Sequence, residues 1–286
     1  MTNCIEIKGL CKSYGDFALN NIDLTLPGGS ILGLIGENGA GKTTTIKCIL
    51  NLIHRDAGEI TLLGYDNIRE ERLAKQDIGL VLDECFFSDA LRPLDLDKIL
   101  APAYREWDRK LFRSYLDKFG LPEKKLIKEF SRGMKMKLSL SAALAHHPRL
   151  LILDEATAGL DPVVRDEILD EFLGFIQDED HAILMSSHIT SDLEKVADYI
   201  AYIHQGQVVL SDAKDNILDS YGRVGCTAAQ LDNIDPRDIL RTRKGTFGCE
   251  ALVGDRVAFS RKYPMLLVER TTLEDIMLFV GKGETK

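Results

Sequence analysis

An eight-residue glycine-rich segment limits the fold of this chain more than any other feature of its sequence. Residues 36–43 read GENGAGKT, which fits the pattern G-x-x-x-x-G-K-[ST]. The apolar run at 31–35 before it indicates a buried strand, and residues 43–52 after it indicate a helix. Glycines in such a loop let backbone N–H groups turn toward phosphate oxygens, and the helix start adds partial positive charge. The segment therefore predicts a nucleoside triphosphate site.

The side chains in and beside this loop have separate predicted roles. Lys42 is expected to reach the β- and γ-phosphates, and the Thr43 hydroxyl is expected to bind Mg²⁺. The alternative is a tight structural turn, which the strand before the loop and the helix after it disfavour. The predicted nucleotide-binding residues of this segment are Gly36, Asn38, Gly39, Ala40, Gly41, Lys42, Thr43 and Thr44.

Strand-like and helix-like segments alternate along the first 212 residues. Alternating apolar residues around Ile5 and Leu24 indicate short antiparallel strands at the start. Helices are predicted to begin at Pro162, which follows an aspartate, and at Ser191, with Ser191 and Glu194 as a capping box. This alternation predicts an α/β fold with a mostly parallel, doubly wound sheet. The later strand-like runs lie at 60–63, 78–82, 150–153, 183–185 and 200–203.

One stretch within this region has a purely helical pattern. Between residues 89 and 147, apolar residues such as Leu96, Ile99 and Leu100 recur at helical spacing, and β-branched runs disappear. We therefore predict that this stretch is a helical insertion. The α/β domain that contains it is expected to span residues 1–212.

The order of elements changes after about residue 212. Strand-like segments at 250–253 and 256–259 flank Gly254-Asp255, which predicts a two-residue hairpin turn. Thr272 is expected to cap a final helix. Residues 213–286 are thus predicted to form a small α+β accessory domain.

Charge and hydropathy narrow the classes of function. The chain has 45 acidic and 36 basic residues and a net charge of −9, which argues against a nucleic-acid partner because such binding needs a cationic face. No apolar run approaches the roughly 18 residues of a membrane span, and the first residues lack the pattern of a signal peptide. We expect a cytoplasmic chain that reaches a membrane only by docking.

Four further segments follow the glycine-rich loop in a characteristic order. They are FSRGM at 130–134, LLILDE at 150–155, AGLD at 158–161 and SSH at 186–188. Each segment alone is a weak signal, but their order and spacing over the first 210 residues or so resemble those of the ABC ATPase family. The resemblance implies a P-loop NTPase core with a mostly parallel sheet, an antiparallel β-subdomain and a helical insertion.

The resemblance also implies roles for single residues. Asp154, at the carboxyl end of a buried strand, would hold Mg²⁺, and Glu155 would polarise the attacking water as general base. His188 would contact the γ-phosphate and Glu155, although a lone histidine at a strand end is usually a surface residue. Asp161 would sense the second subunit, and Tyr14 would stack on adenine.

The segment at 130–134 stands where the family has its signature loop, LSGGQ. Ser131 and Gly133 agree with that pattern, and they would meet the γ-phosphate bound by the second subunit. Arg132 and Met134 depart from it, since the family usually has glycine and glutamine there.

A second departure lies after the strand-like run at 78–82. The family has a glutamine at the position of Asp83, where it binds Mg²⁺ and the attacking water. Asp83 or Glu84 could supply the oxygen instead, and the identity of the donor stays open.

The implied ligands and partners follow from the family. ATP and Mg²⁺ are the expected cofactors, and two cassettes, identical or different, would close around ATP. A separate transmembrane permease would dock along residues 83–93, where Phe86, Phe87 and Leu91 are apolar, so the chain would lie at the inner face of the cell membrane. The segment at 272–277 resembles the closing helix of multidrug, antibiotic and peptide exporter subunits.

Two other functions compete with that of a transporter subunit. A non-transport ABC ATPase of the translation or DNA-repair type is the main alternative, although this chain has neither two cassettes nor room for a long coiled coil. A small-molecule kinase would share Lys42 and Thr43 but has no use for Ser131, Gly133 and His188.

Overall fold

The computed structural model describes residues 2–245 and 248–283. The strands are β1 (Asn3–Tyr14), β2 (Phe17–Pro27), β3 (Ser30–Ile35), β4 (Ala57–Leu62), β5 (Tyr65–Asp66), β6 (Ile78–Val81), β7 (Leu150–Asp154), β8 (Ala182–Ser186), β9 (Tyr199–His204), β10 (Gln207–Ala213), β11 (Gly222–Cys226), β12 (Arg241–Gly245), β13 (Gly248–Val253) and β14 (Val268–Arg270). The helices are α1 (Lys42–Ile49), α2 (Glu71–Ala74), α3 (Pro93–Leu100), α4 (Arg109–Lys118), α5 (Arg132–Leu144), α6 (Pro162–Phe175), α7 (Thr190–Val196), α8 (Lys214–Ser220), α9 (Ala228–Asp232), α10 (Arg256–Lys262) and α11 (Leu273–Lys282).

A six-stranded sheet in the order β10-β9-β3-β8-β7-β6 forms the centre of the molecule. Its strands run parallel except β10, which pairs antiparallel with β9. Every residue of β3, β7 and β8 is buried, as expected for strands covered on both faces. The predicted α/β fold with a mostly parallel sheet is confirmed. The carboxyl ends of β3, β7 and β8 all lie at one edge, where such folds bind ligands.

Two smaller units flank this sheet. An antiparallel sheet in the order β2-β1-β4-β5 packs on one side, as predicted from the alternating residues near the start. Helices α3, α4 and α5 share their own apolar core, which includes Leu96, Phe112, Leu116 and Leu138, and no strand lies among the described residues 89–147.

The C-terminal part contains a third sheet, in the order β12-β13-β11-β14. The predicted hairpin at 250–259 is wrong, because β13 ends at Val253 and residues 256–262 form α10. The physical reason is Asp255, whose Oδ1 accepts from Ala258 N at 2.8 Å and so caps a helix. The predicted cap of the final helix is present, since Thr272 accepts from Asp275 N. The division into domains at residue 212 stays a prediction.

The start of α7 also differs from the prediction. The helix begins at Thr190, and among the described residues no side chain caps it. Ser191 lies inside the first turn instead. The Glu194 carboxylate, predicted to complete a capping box, accepts from the backbone N–H of Leu273 at 2.8 Å, so a contact distant in sequence replaces a local one.

Helix α11 belongs to the main core despite its position at the end of the described chain. Leu273, Ile276 and Phe279 are at most 1% exposed and pack in the same cluster as Leu151 and Met185 of the central sheet. Within the parts of the chain described by the structure, no helix has the length and apolar character needed to cross a membrane.

Candidate nucleotide site

The glycine-rich loop connects β3 to α1 at the carboxyl edge of the central sheet. Gly39 and Gly41 have φ angles of 82° and 119°, a region that disfavours other residues. A Cβ on Gly41 would also lie 2.6 Å from Leu19 Cδ2, and one on Gly36 would overlap the carbonyl oxygen of Ile203. Only glycine fits these positions, as a phosphate cradle made of backbone requires.

The start of α1 faces this cradle. Among the described residues, no side chain caps the helix at Gly41. The N–H groups of its first turn are therefore available for an anion, and the helix dipole favours one there.

Lys42 lies buried beneath the loop, with only 6% of its side chain exposed. Its Nζ donates to the carbonyl oxygens of Gly36 at 2.7 Å and Glu37 at 3.3 Å. The ammonium group also lies 3.5 Å from Glu155 Oε1. A buried cation inside a ring of backbone groups fits the binding of a polyphosphate.

Two carboxylates leave the sheet at the end of β7. Asp154 is 4% exposed, and its Oδ1 accepts from Ser186 Oγ at 2.5 Å. Glu155 follows with a φ of 53°, a strained conformation for a residue with a side chain. Its backbone N–H donates to Ser186 O at 3.1 Å, which holds this turn in place.

His188 completes a cluster around the Glu155 carboxylate. His188 Nδ1 lies 2.6 Å from Glu155 Oε2, and its backbone N–H donates to the same oxygen at 3.3 Å. One Glu155 oxygen therefore faces Lys42 and the other faces His188. The structure thus brings together three of the predicted residues, from the loop and from the ends of β7 and β8.

Other predicted residues of the loop lie at or near the surface. Asn38, Gly39 and Thr43 are exposed, Thr44 is half-buried and Ala40 is buried. These positions give the loop an accessible outer face above the buried Lys42.

Tyr14 lies at the end of β1 and is 46% exposed. Lys12 Nζ stands 5.1 Å from the centre of its ring. The Phe17 ring comes close to the loop, because a Cβ on Gly41 would lie 3.1 Å from Phe17 Cζ. The stacking role of Tyr14 stays a prediction.

Ser131 and Asp161 both cap helices. Ser131 Oγ accepts from Met134 N at 3.2 Å at the start of α5. Asp161 Oδ1 accepts from the backbone N–H groups of Val163 and Val164 at the start of α6. Both residues therefore have a local structural role, and their predicted roles across a dimer stay predictions.

The departure at Arg132 has a visible consequence. Its guanidinium packs against Gly159, where a Cβ would lie 2.9 Å from Nη1. The signature segment therefore touches the AGLD segment within one chain. Gly133 does not take part in this contact, since the atoms nearest to a Cβ built on it belong to Val164 in α6.

Asp83 and Glu84 are both exposed and follow β6 at the same edge as Glu155. The strand register pairs Val81 with Leu153. Asp83 lies two residues after Val81, and Glu155 lies two residues after Leu153. Asp83 and Glu84 also line a pocket with Phe130 and Arg132. The choice between them as oxygen donor stays open.

Three contributors to this site were not predicted from the sequence. Ser186, treated only as the residue before Ser187 and His188, binds both Asp154 and the Glu155 turn. Leu19, beside Phe17, forms a wall of the loop. Glu37 was treated as a variable loop position. The parallel order of β7 and β8 would have identified Ser186, whereas Leu19 depends on packing between two sheets and Glu37 on contacts with β9 and α11.

The cradle, the buried lysine and the strand-end carboxylates define a P-loop nucleotide-binding protein. The family model for ABC transporters matches residues 19–158. The chain is 35% identical over 214 residues to the lantibiotic transport ATP-binding protein SrtF of Streptococcus pyogenes, covering 74% of this chain and 91% of that protein. It is 33% identical over 212 residues to the bacitracin transport ATP-binding protein BcrA of Bacillus licheniformis, covering 73% of this chain and 69% of that protein.

A solved structure described as the ATP-binding subunit of an ABC transporter superposes with a TM-score of 0.69 at 27% identity, covering 75% of this chain and 91% of that chain. The chain belongs to the ABC transporter ATP-binding proteins. It is the ATPase subunit of such a transporter, as the resemblance implied, and the alternatives of a non-transport ABC ATPase and a kinase are not favoured.

Proposed function

We propose that this chain hydrolyses ATP with Glu155 as general base and His188 as its positioning partner. The observation that supports this most strongly is the Glu155 carboxylate, held between Lys42 at 3.5 Å and His188 at 2.6 Å. A general base must be oriented within hydrogen-bond reach of the water it activates. Lys42 would then contact the β- and γ-phosphates, as the loop pattern predicts.

Mg²⁺ fits the oxygen donors near the loop. Asp154 has one oxygen bound by Ser186, which leaves its second oxygen for a cation or its water. Thr43 supplies an exposed hydroxyl at the start of α1, and carboxylate and hydroxyl oxygens are the ligands that Mg²⁺ prefers. When bound, the cation would neutralise charge on the phosphates. Asp83, or Glu84 in its place, would add a further oxygen.

We further propose that hydrolysis requires two cassettes. Lys42, Glu155 and His188 lie close together, whereas Ser131 and Gly133 stand at the start of a different helix, α5. In a head-to-tail dimer, the start of α5 would bind the γ-phosphate of the second subunit's ATP. Asp161, at the start of α6, would meet the second subunit. The residues of both sites are retained in one chain, so a homodimer and a heterodimer both fit.

The permease would dock in an apolar groove between β6 and the helical unit. The groove has a volume of about 230 Å³ and is lined by Leu80, Leu82, Glu84, Phe86, Phe87, Leu100, Tyr104, Ser139, Ala142, Ala143 and His146. Phe86 is 73% exposed and lines this groove together with other apolar side chains, and a contiguous exposed apolar surface is typical of a protein interaction site. Phe87 lines the groove and also packs partly against the helical core, and Leu91, predicted as part of the docking face, packs partly against that core as well.

The transported molecule would leave the cell. The relatives named above act in the transport of a lantibiotic and of bacitracin, and another, 34% identical over 234 residues, is a linearmycin resistance protein of Bacillus subtilis. These names favour export of an antibiotic or peptide. The chain would lie at the inner face of the cell membrane, and no nucleic-acid partner is expected at a net charge of −9.

Phosphate release by the purified chain, with and without Mg²⁺, tests the core of this proposal. We expect Mg²⁺-dependent release from ATP that chelation of the metal abolishes. Lys42→Ala should lose ATP binding, because it removes the buried ammonium group from the loop. Hydrolysis that survives both treatments would contradict the proposed site.

Release of phosphate without a phosphorylated acceptor would exclude a kinase. Co-purification with a multi-span membrane protein from its native host would support a transporter. Repeated absence of such a partner would contradict the proposed docking of a separate permease.

A further inference from the structure

Helix α11 is attached at its first residue to the helix that follows His188. The backbone N–H of Leu273 donates to Glu194 Oε1 at 2.8 Å. Glu194 lies in α7, which begins two residues after His188. This end of α11 is therefore attached to α7.

The other end of α11 meets the phosphate loop itself. A Cβ built on Gly281 would overlap Glu37 Oε1, and Glu37 Cδ would lie 3.0 Å from it. The loop carboxylate thus occupies the space that a side chain at residue 281 would fill. Glycine at this position is unexpected within a helix, since it weakens helices compared with alanine.

Tyr202 lies between the loop and α11. Its hydroxyl is 3.4 Å from Glu37 Oε1 and 3.3 Å from the carbonyl oxygen of Met277. Burial, with the Glu37 carboxylate beside it, raises the pKa of Tyr202 far above its usual range, so the hydroxyl keeps its proton and remains a donor. His204 Nδ1 lies 3.3 Å from the same Glu37 oxygen.

Helix α11 is anchored in the main core by three buried side chains. Leu273, Ile276 and Phe279 are buried in the main core, and the Arg243 guanidinium lies 5.1 Å from the centre of the Phe279 ring. Movement of its last turn would disturb these contacts. Glu37 itself is an exposed residue of the glycine-rich loop.

We propose that the last turn of α11, together with Tyr202, holds Glu37 and thereby positions the phosphate loop for ATP. Gly281, Tyr202 and Glu37 are positioning residues here, since none of them needs to touch the nucleotide. A loop already held in its binding conformation loses less freedom when ATP binds. The inference rests on the proposed binding of ATP at residues 36–44.

The Glu37 carboxylate has a second effect on ATP affinity, which acts in the opposite direction. Its negative charge opposes the phosphates, so its removal alone could strengthen binding. The side chain is 44% exposed, and solvent screens such a charge strongly. A substitution that displaces the carboxylate without changing the charge is therefore the clearer test.

Gly281→Ala is that substitution, and Gly174→Ala is its matched control. Both glycines are the penultimate residues of their helices, α11 and α6. A Cβ on Gly174 would meet no described atom within 4 Å, whereas one on Gly281 would displace the Glu37 carboxylate. Both alanines should leave the melting temperature unchanged or raise it, because alanine favours helices.

We expect Gly281→Ala to weaken ATP binding about three- to tenfold, the size of a loop-ordering cost, while kcat stays near that of the parent chain. Gly174→Ala should bind ATP as the parent does. Tyr202→Phe should also weaken binding, and Tyr199→Phe, in the same strand, should not. Calorimetric titration with ATP measures the affinity, and steady-state phosphate release measures kcat. Thermal melting checks that each variant is folded.

A double substitution tests whether Gly281→Ala acts through Glu37. In a Glu37→Ala background the carboxylate is already absent, so adding Gly281→Ala should not change ATP affinity further. An equal loss in both backgrounds, or ATP binding of Gly281→Ala equal to that of the parent, would overturn the inference. Failure of the parent chain to bind ATP would instead overturn the proposed function.

Discussion

The Glu155 carboxylate is held from two sides, with Lys42 and His188 each facing one oxygen. We expect His188→Ala to lower kcat about 100-fold, because a misoriented general base loses most of its contribution. ATP affinity should change little, since Lys42 and the loop remain. His54→Ala, at an exposed position, is the control. Steady-state phosphate release measures both variants, and unchanged kcat in His188→Ala would contradict the proposed role.

Arg132 stands where the family usually has glycine, and it packs on Gly159. We expect Arg132→Gly to retain hydrolysis within about threefold, because the Ser131 cap and the start of α5 stay intact. Steady-state phosphate release at matched protein concentrations measures this. A loss greater than about tenfold, which is about 1.4 kcal/mol, would mean that the guanidinium takes part in the reaction.

The place of a residue in the site was predictable where the loop pattern or the end of a strand fixes its position. Lys42, Asp154, Glu155 and His188 are placed by the loop pattern and by strand ends, which sequence periodicity reveals. The wall of the loop at Leu19 and Phe17 was not, because β2 and β3 are consecutive in sequence but belong to different sheets, and sequence periodicity does not show how two sheets pack.

At the scale of elements, the turn at Gly254-Asp255 was misread because glycine and aspartate are common in hairpin turns and aspartate is also common at helix starts. The structure contains the helix start.

We expect Asp255→Ala to lower the free energy of unfolding by about 1 kcal/mol through loss of the cap. Urea denaturation measures it, with Asp117→Ala, at an exposed position within α4, as control. Equal stability of the two variants would count against the cap.

The central sheet was predictable because its strands are uniformly apolar, which is typical of parallel strands covered on both faces. The start of α7 was not, since Glu194 binds Leu273, 79 residues away. Local capping rules cannot anticipate a partner that comes from another part of the fold.

At the scale of the whole molecule, Phe86 is the exposed part of the proposed docking groove. We expect Phe86→Asp to abolish co-purification with the permease while ATP hydrolysis by the isolated chain is kept, because the substitution leaves Lys42, Glu155 and His188 unchanged. Met265→Asp is the control, since Met265 is 91% exposed in the C-terminal part. Loss of the permease in both variants would argue against this groove.

The relation of residues 213–286 to the rest of the chain was the least predictable feature. The sequence predicted an accessory domain at 213–286 but not that its last helix, α11, packs in the main core and contacts both the phosphate loop and α7. Only tertiary packing of Leu273, Ile276 and Phe279 explains this arrangement.

The dependence of hydrolysis on a second subunit is the central claim, and Glu155→Gln tests it most directly. The amide keeps the shape of the carboxylate but cannot act as a base, so ATP should bind without being hydrolysed. Sedimentation velocity at saturating ATP and Mg²⁺ should then show a dimer that the same variant does not form with ADP. A Glu155→Gln chain that binds ATP and yet sediments as a monomer would contradict the account.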